Sequence, residues 1–160
     1  MTTGELCTFV REQVPGFSEP TIEMAGSGYH YTRHTKNILT AGVFLGVPIT
    51  SNLISTQRSA VSTPARDSDG IVFAYPSLQK TAEMGLGQEI FRIDFRSGIS
   101  AFHTHERELE RKHGLIDSRT LLILASEIVR FEFLGSAAQL LQRHSWSSAP
   151  ELPSSIERRS

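Results

Sequence analysis

Gly28-Tyr29-His30-Tyr31-Thr32-Arg33-His34-Thr35-Lys36-Asn37-Ile38-Leu39-Thr40-Ala41-Gly42-Val43 reads as a short strand, a polar turn and a helix with a glycine stop. The aromatic and β-branched run 29–32 suits an extended chain. From Thr35 the pattern predicts a helix over 35–41 with Ile38, Leu39 and Ala41 buried and Gly42 as its C-terminal stop. Side chains two apart share one face of a strand, so His30 and Thr32 point the same way at the strand's end. An imidazole and a hydroxyl placed there can hold a sugar hydroxyl. The bland alternative is a His and a Thr packed into the strand and satisfied by backbone.

Outward from this stretch, helices and strands interleave. A helix is expected over 4–13, with Leu6, Phe9 and Val10 on one side, before Pro15, Gly16 and Pro20 break the chain. The polar segment 48–68 has no strong period and reads as a loop over a site or as a mobile region. Gly70-Ile71-Val72-Phe73-Ala74-Tyr75 is a strand after an Asp-Gly turn signal. A helix over 78–84 follows, capped by Ser77 and stopped by Gly85. Phe91, Ile93 and Phe95 alternate with charged neighbours in a strand over 89–95. A charged helix is expected over 104–113 with Gly114 as its end, then a buried strand over 121–124. A further strand over 128–134 carries Val129, Phe131 and Phe133 on one face, and 137–142 reads as helical. Serine, proline and charge dominate from Ser145, so 1–144 is read as a single domain and 145–160 as a flexible tail. The fold class expected is α+β, with a split, mixed or antiparallel sheet and short flanking helices.

The totals narrow the function classes. A chain of 160 residues is long enough to bury one sizeable core without a metal or a disulfide. Cys7 is the sole cysteine, which rules out an intrachain disulfide and is compatible with a cytosolic milieu. A net charge of −1 supplies no overall field toward nucleic acid or anionic lipid. Apolar runs are too short to span a bilayer, and the first residues lack the pattern of a secretory signal. Neither GxGxxG nor GxxxxGK[ST] is present, so dinucleotide-fold and P-loop sites are unsupported, and no GxSxG elbow exists.

Three constellations could carry chemistry. His30 with Thr32 is the first. Tyr75, at a strand-to-helix junction, is the second: it could stack on a planar base or pyridinium, or be an ordinary core aromatic. Asp117, in Asp117-Ser118-Arg119-Thr120 before the strand 121–124, is the third. A carboxylate there could hold a ribose hydroxyl and stabilise an oxocarbenium-like centre, or serve a turn. A competing set, His103-x-His105-x4-Glu110 after Gly98, resembles a cupin metal motif but lies where a solvated helix is expected, with Glu108 and Lys112 as an i,i+4 pair.

The order His30, Tyr75, late acid, each at a strand boundary, resembles the His-Tyr-Glu group of ADP-ribosyltransferases, the diphtheria-toxin-like branch. The strand Gly70–Tyr75 with Lys80-Thr81-Ala82 after it, and Leu121–Leu124 with Ala125-Ser126-Glu127-Ile128 after it, are similar to that family's central and late strands. The resemblance covers roughly 28–134. It implies a mono-ADP-ribosyltransferase of toxin or effector type that takes NAD as substrate, releases nicotinamide and modifies a macromolecular acceptor, protein before nucleic acid, with no membrane. By resemblance His30 and Thr32 hold a ribose, Tyr75 stacks on nicotinamide and Asp117 is the favoured acid, with Glu127 and Glu106 as alternatives. Short plant-pathogen effectors of this fold suggest Arg33 beside Asp117. DNA-base ADP-ribosyltransferases, to which 30–39 is similar, suggest Arg58, and RNA 2′-phosphotransferases share the fold. The resemblance places the protein in the cytosol, its own or that of a target cell. The family's Glu is replaced by Arg119-Thr120, which leaves open a non-catalytic binding module of the same fold.

Overall fold

The computed structural model describes residues 1–53 and 68–144. Its centre is strand β3, Glu89–His103, in which buried Phe91, Ile93 and Phe95 alternate with Arg92 and Asp94. Strand β1, Phe17–Thr32, runs antiparallel along one edge of β3, from Phe17 opposite His103 to Thr32 opposite Glu89. The other edge is shared. Strand β5, Ile128–Ser136, takes the first half of β3, and β4, Arg119–Leu124, takes the second. Strand β2, Ile71–Ala74, adds to β4. All these pairings are antiparallel, and the order is β1-β3-β4-β2 with β5 on β3. Among the described residues, five α-helices flank the sheet: α1 Thr3–Gln13, α2 Thr35–Ala41, α3 Leu78–Met84, α4 Thr104–His113 and α5 Ala137–His144. The class is α+β, as expected.

Local chemistry sets the helix ends. Thr2 and Glu5 form a reciprocal capping box at α1. The Ser77 hydroxyl accepts from the Lys80 N–H at 3.1 Å to start α3. Gly42 and Gly114, at φ 73° and 75°, end α2 and α4 in the left-handed region. These bounds agree with the sequence reading. The strands do not: β1 and β3 are far longer than 29–32 and 89–95. Pro20, a breaker by sequence, sits where the β1–β3 register shifts, next to Glu19 at φ 54°, so its missing N–H is accommodated in a bulge.

The described residues form three apolar clusters. Helix α1, through Leu6 and Val10, packs on Phe17, Phe73, Ile99 and Leu122. Phe91, Ile93 and Phe95 meet Val72, Ala74, Leu121 and Ile123 in the middle, with Phe44 beside them. Helices α3 and α5 pack through Ala82, Ala137 and Leu140 around Ile90. Two burial expectations fail. In α2 only Ile38 joins the core in part, while Leu39 is 53% exposed and Ala41 is exposed, because this helix lies at the rim of the sheet. In β5, an edge strand, Val129 and Phe133 stay exposed and Phe131 is partly covered by Phe44 and Phe91. No helix among the described residues is long and apolar enough to cross a membrane. The loop reading falls largely on 54–67 and the tail reading on 145–160, outside the described residues.

Candidate functional site: a seam between two strands

The sheet nearly closes on itself. Tyr29 and Tyr75 exchange both backbone hydrogen bonds at 2.8 Å, which joins β1 to the end of β2. Beyond that bridge the two strands part. Alternation along an antiparallel edge turns the peptide groups of Ile71, Phe73 and Tyr75 toward this side. Ile71 is engaged by Val47, with bonds of 2.8 and 2.9 Å. Phe73 sits between the two bridges, and its carbonyl is met by a side chain: His30 Nδ1 lies 2.6 Å from it. An imidazole thus stands where a ladder bond from β1 would continue.

That contact fixes the chemistry of His30. A carbonyl only accepts, so Nδ1 carries the hydrogen, and Nε2 of the neutral ring keeps its lone pair; the tautomer is inferred from the partner. Burial pushes the His30 pKa down from its ordinary value, the Phe73 carbonyl works against that fall, and nearby His34 adds to it. The ring is further held edge-on by Phe44, with centroids 5.4 Å apart.

Between the bridges lies a cleft of about 100 Å³ walled by Ile38, Phe44, Val47 and Val72. An apolar cavity of roughly 150 Å³ accepts benzene, so the scale is that of one small ring. Its polar side chains are His30, Tyr31, Thr32, His34, Asn37, Tyr75 and Gln88. The structure therefore brings His30, Thr32 and Tyr75 to one cavity. The Thr32 hydroxyl accepts from the His34 N–H at 2.9 Å, which sets the turn into α2. Tyr75 is buried, its ring parallel to Tyr31 at 6.0 Å and the Lys80 ammonium 5.5 Å from its centroid.

Arg33 and Asp117 lie outside the cleft lining. Arg33 is exposed and borders a separate groove with Gly87, Gln88, Glu89 and Ser136. Asp117 accepts from the Arg119 N–H at 3.2 Å, a turn into β4, and its carbonyl accepts from Lys80. Lys80 links it to the ring of Tyr75 and lies 3.8 Å from Glu106. Glu127 accepts from Ser97 at 3.2 Å and faces Arg96. Among the described residues no carboxylate lines the cleft. Arg58 is outside the described residues. His103 caps α4, accepting from the Glu106 N–H at 3.5 Å, and meets Phe17 edge-on. No group of three or more His, Cys, Asp or Glu among the described residues is placed to hold a metal ion.

The sequence reading missed Phe44 and Gln88 and gave His34 no role. Gln88 follows Gly85-Leu86-Gly87, a stretch with no chemical signature, and only the fold brings it to the cavity. No family model, curated protein or solved structure matches this chain.

Proposed function

We propose that the seam cleft is an NAD site and that the protein is a mono-ADP-ribosyltransferase acting on a macromolecular acceptor. One observation carries this reading: His30 and Tyr75, distant in sequence, line the same small apolar cavity, held there by the Tyr29–Tyr75 bridge. At about 100 Å³ the cavity has room for no more than one small planar ring. His30 Nε2, a neutral acceptor, takes a ribose hydroxyl. The aromatic and aliphatic walls exclude water around the glycosidic bond. Nicotinamide leaves C1 of the ribose as positive charge develops there, and the acceptor's nucleophile closes on that carbon. A carboxylate near C1 lowers this barrier. Asp117 is the acid of this reading, and its place behind Lys80, on the Tyr75 side, requires the ligand to extend out of the cleft in that direction.

The lack of a carboxylate among the described lining residues favours a second reading, a module that binds NAD without transferring from it. Nicotinamide release and NAD calorimetry on wild type, His30→Ala and Asp117→Ala separate the two. The transferase reading expects release that falls by at least about tenfold in both variants, the usual scale for a group acting in the transition state. Binding without release, lost in His30→Ala, supports the module. Neither binding nor release sinks both.

A further inference from the structure

We infer that Gln88, with His34 beside the same cavity, is the specificity-determining group of the cleft. It selects a ring carrying a neutral primary carboxamide over the same ring carrying a carboxylate. Gln88 is only 9% exposed, and its side-chain oxygen Oε1 is buried with no hydrogen-bond partner. His34 Nε2 is in the same condition. Both residues line the cavity that holds His30 and Tyr75. The Gln88 backbone is pinned on both sides: its N–H donates to the Gly85 carbonyl at 2.8 Å, and its carbonyl accepts from the Ala137 N–H at 2.9 Å. The Cα is therefore fixed between the end of α3 and the start of α5, where the residue borders both the cleft and the groove of Arg33.

A buried acceptor without a donor is destabilising, and native proteins rarely keep one without a reason. A primary carboxamide answers it, since its nitrogen carries two N–H donors. A carboxylate offers acceptors alone, so it leaves Oε1 unmet unless the Gln88 amide turns its nitrogen inward. It also brings a charge into a cavity with no Lys or Arg among its described lining residues, where nothing offsets its loss of hydration. Sites built to meet a ligand's N–H discriminate strongly against analogues without it. This inference rests on the reading of the cleft as the nicotinamide end of an NAD site.

The test is calorimetric binding of nicotinamide and nicotinate as fragments, and of NAD separately, to wild type, Gln88→Leu and Gln88→Glu. Wild type should prefer nicotinamide by at least about tenfold. Gln88→Leu, which has no acceptor, should weaken nicotinamide binding and lower the preference, leaving the part set by the carboxylate's charge. Gln88→Glu, which keeps an acceptor, should retain the preference, and it decides the matter if the leucine variant does not fold. Equal binding of the fragments by wild type, preference for nicotinate, unchanged discrimination in Gln88→Leu or its loss in Gln88→Glu each overturns the inference. If NAD binds while the fragments are not distinguished, the inference fails and the NAD reading stands. If the carboxamide is selected and NAD does not bind, the NAD reading fails and the selectivity stands. Binding of none of the three overturns both.

Discussion

A single imidazole decides how the cleft is made. His30 donates through Nδ1 to the Phe73 carbonyl and stands edge-on to Phe44, so it serves the fold and faces the cavity at once. Its depressed pKa has a consequence for stability. The unfolded chain takes a proton on this ring near pH 6.5, and the folded chain only at lower pH. Across that window the unfolded state binds more protons, so stability falls as pH drops through about 6.5 and stops falling, on this account, below the folded pKa. His34 is the titratable neighbour whose charge acts on His30. Asp94 and Glu110, whose pKa values are lowered by Ser27 and Ser118 respectively as the first causes, lose their contribution only in the acid range below the usual carboxylate values. Replacing His30 by Gln keeps a donor for Phe73 and removes the titration. Between about pH 7.5 and 5.5, the melting temperature of His30→Gln should therefore fall less than that of wild type. Equal falls would mean that another group titrates in this window. The sequence made His30 conspicuous by its place before Thr32, but the Phe73 carbonyl that sets its tautomer could not be read from any local pattern.

At the scale of elements, close backbone approach governs the seam. A Cβ on Gly28 would lie 2.7 Å from Leu121 Cδ1 and 3.2 Å from the Ala74 Cβ, so the bare Cα is what lets β1 approach β2 and β4. At the far end of the cleft, a Cβ on Gly46 would lie 2.3 Å from the Gly70 carbonyl carbon, and one on Gly70 would lie 2.5 Å from the Val47 carbonyl oxygen. These clashes fall largely on backbone, which has little room to give. Gly28→Ala should cost about 1–3 kcal/mol, the scale of an overpacked core. Gly70→Ala should cost a similar amount and also weaken the Val47–Ile71 bridge that bounds the cleft. Urea unfolding midpoints read both effects; a cost under about 0.5 kcal/mol in either would show that the strands shift apart freely. The helices were legible because caps and glycine stops are local. The full lengths of β1 and β3 were not, since Pro20, Gly26 and Gly98 resemble breakers until partner strands are present. Gly26 and Gly98 lie where a Cβ would press on the Phe95 ring, so each makes room for a core aromatic inside a strand.

For the whole molecule, the decisive event is the near-closure of the sheet. Two bridges, Tyr29–Tyr75 and Val47–Ile71, hold β2 on its second edge, and the gap between them is the cleft. Amide hydrogen exchange should read this directly. The N–H groups of Ile71 and Tyr75, bonded across the bridges, should exchange slowly. The Phe73 N–H, on the same edge but opposite the diverging strand, should exchange at least about tenfold faster. Equal protection of all three would mean that β1 zips onto β2 in solution and that the cleft closes.

The sequence by itself determined the class of the protein, the helix bounds and the polar turn at His30 and Thr32. Those features rest on periodicity, capping and turn chemistry, which act within a few residues. Tertiary structure alone decided which side chains share a cavity. It joined Tyr75 to His30 across the seam, brought Gln88 and Phe44 in, and left Arg33 and Asp117 outside the lining. Such company depends on which strand edges pair and where they part, and that is set by packing between segments far apart in the chain.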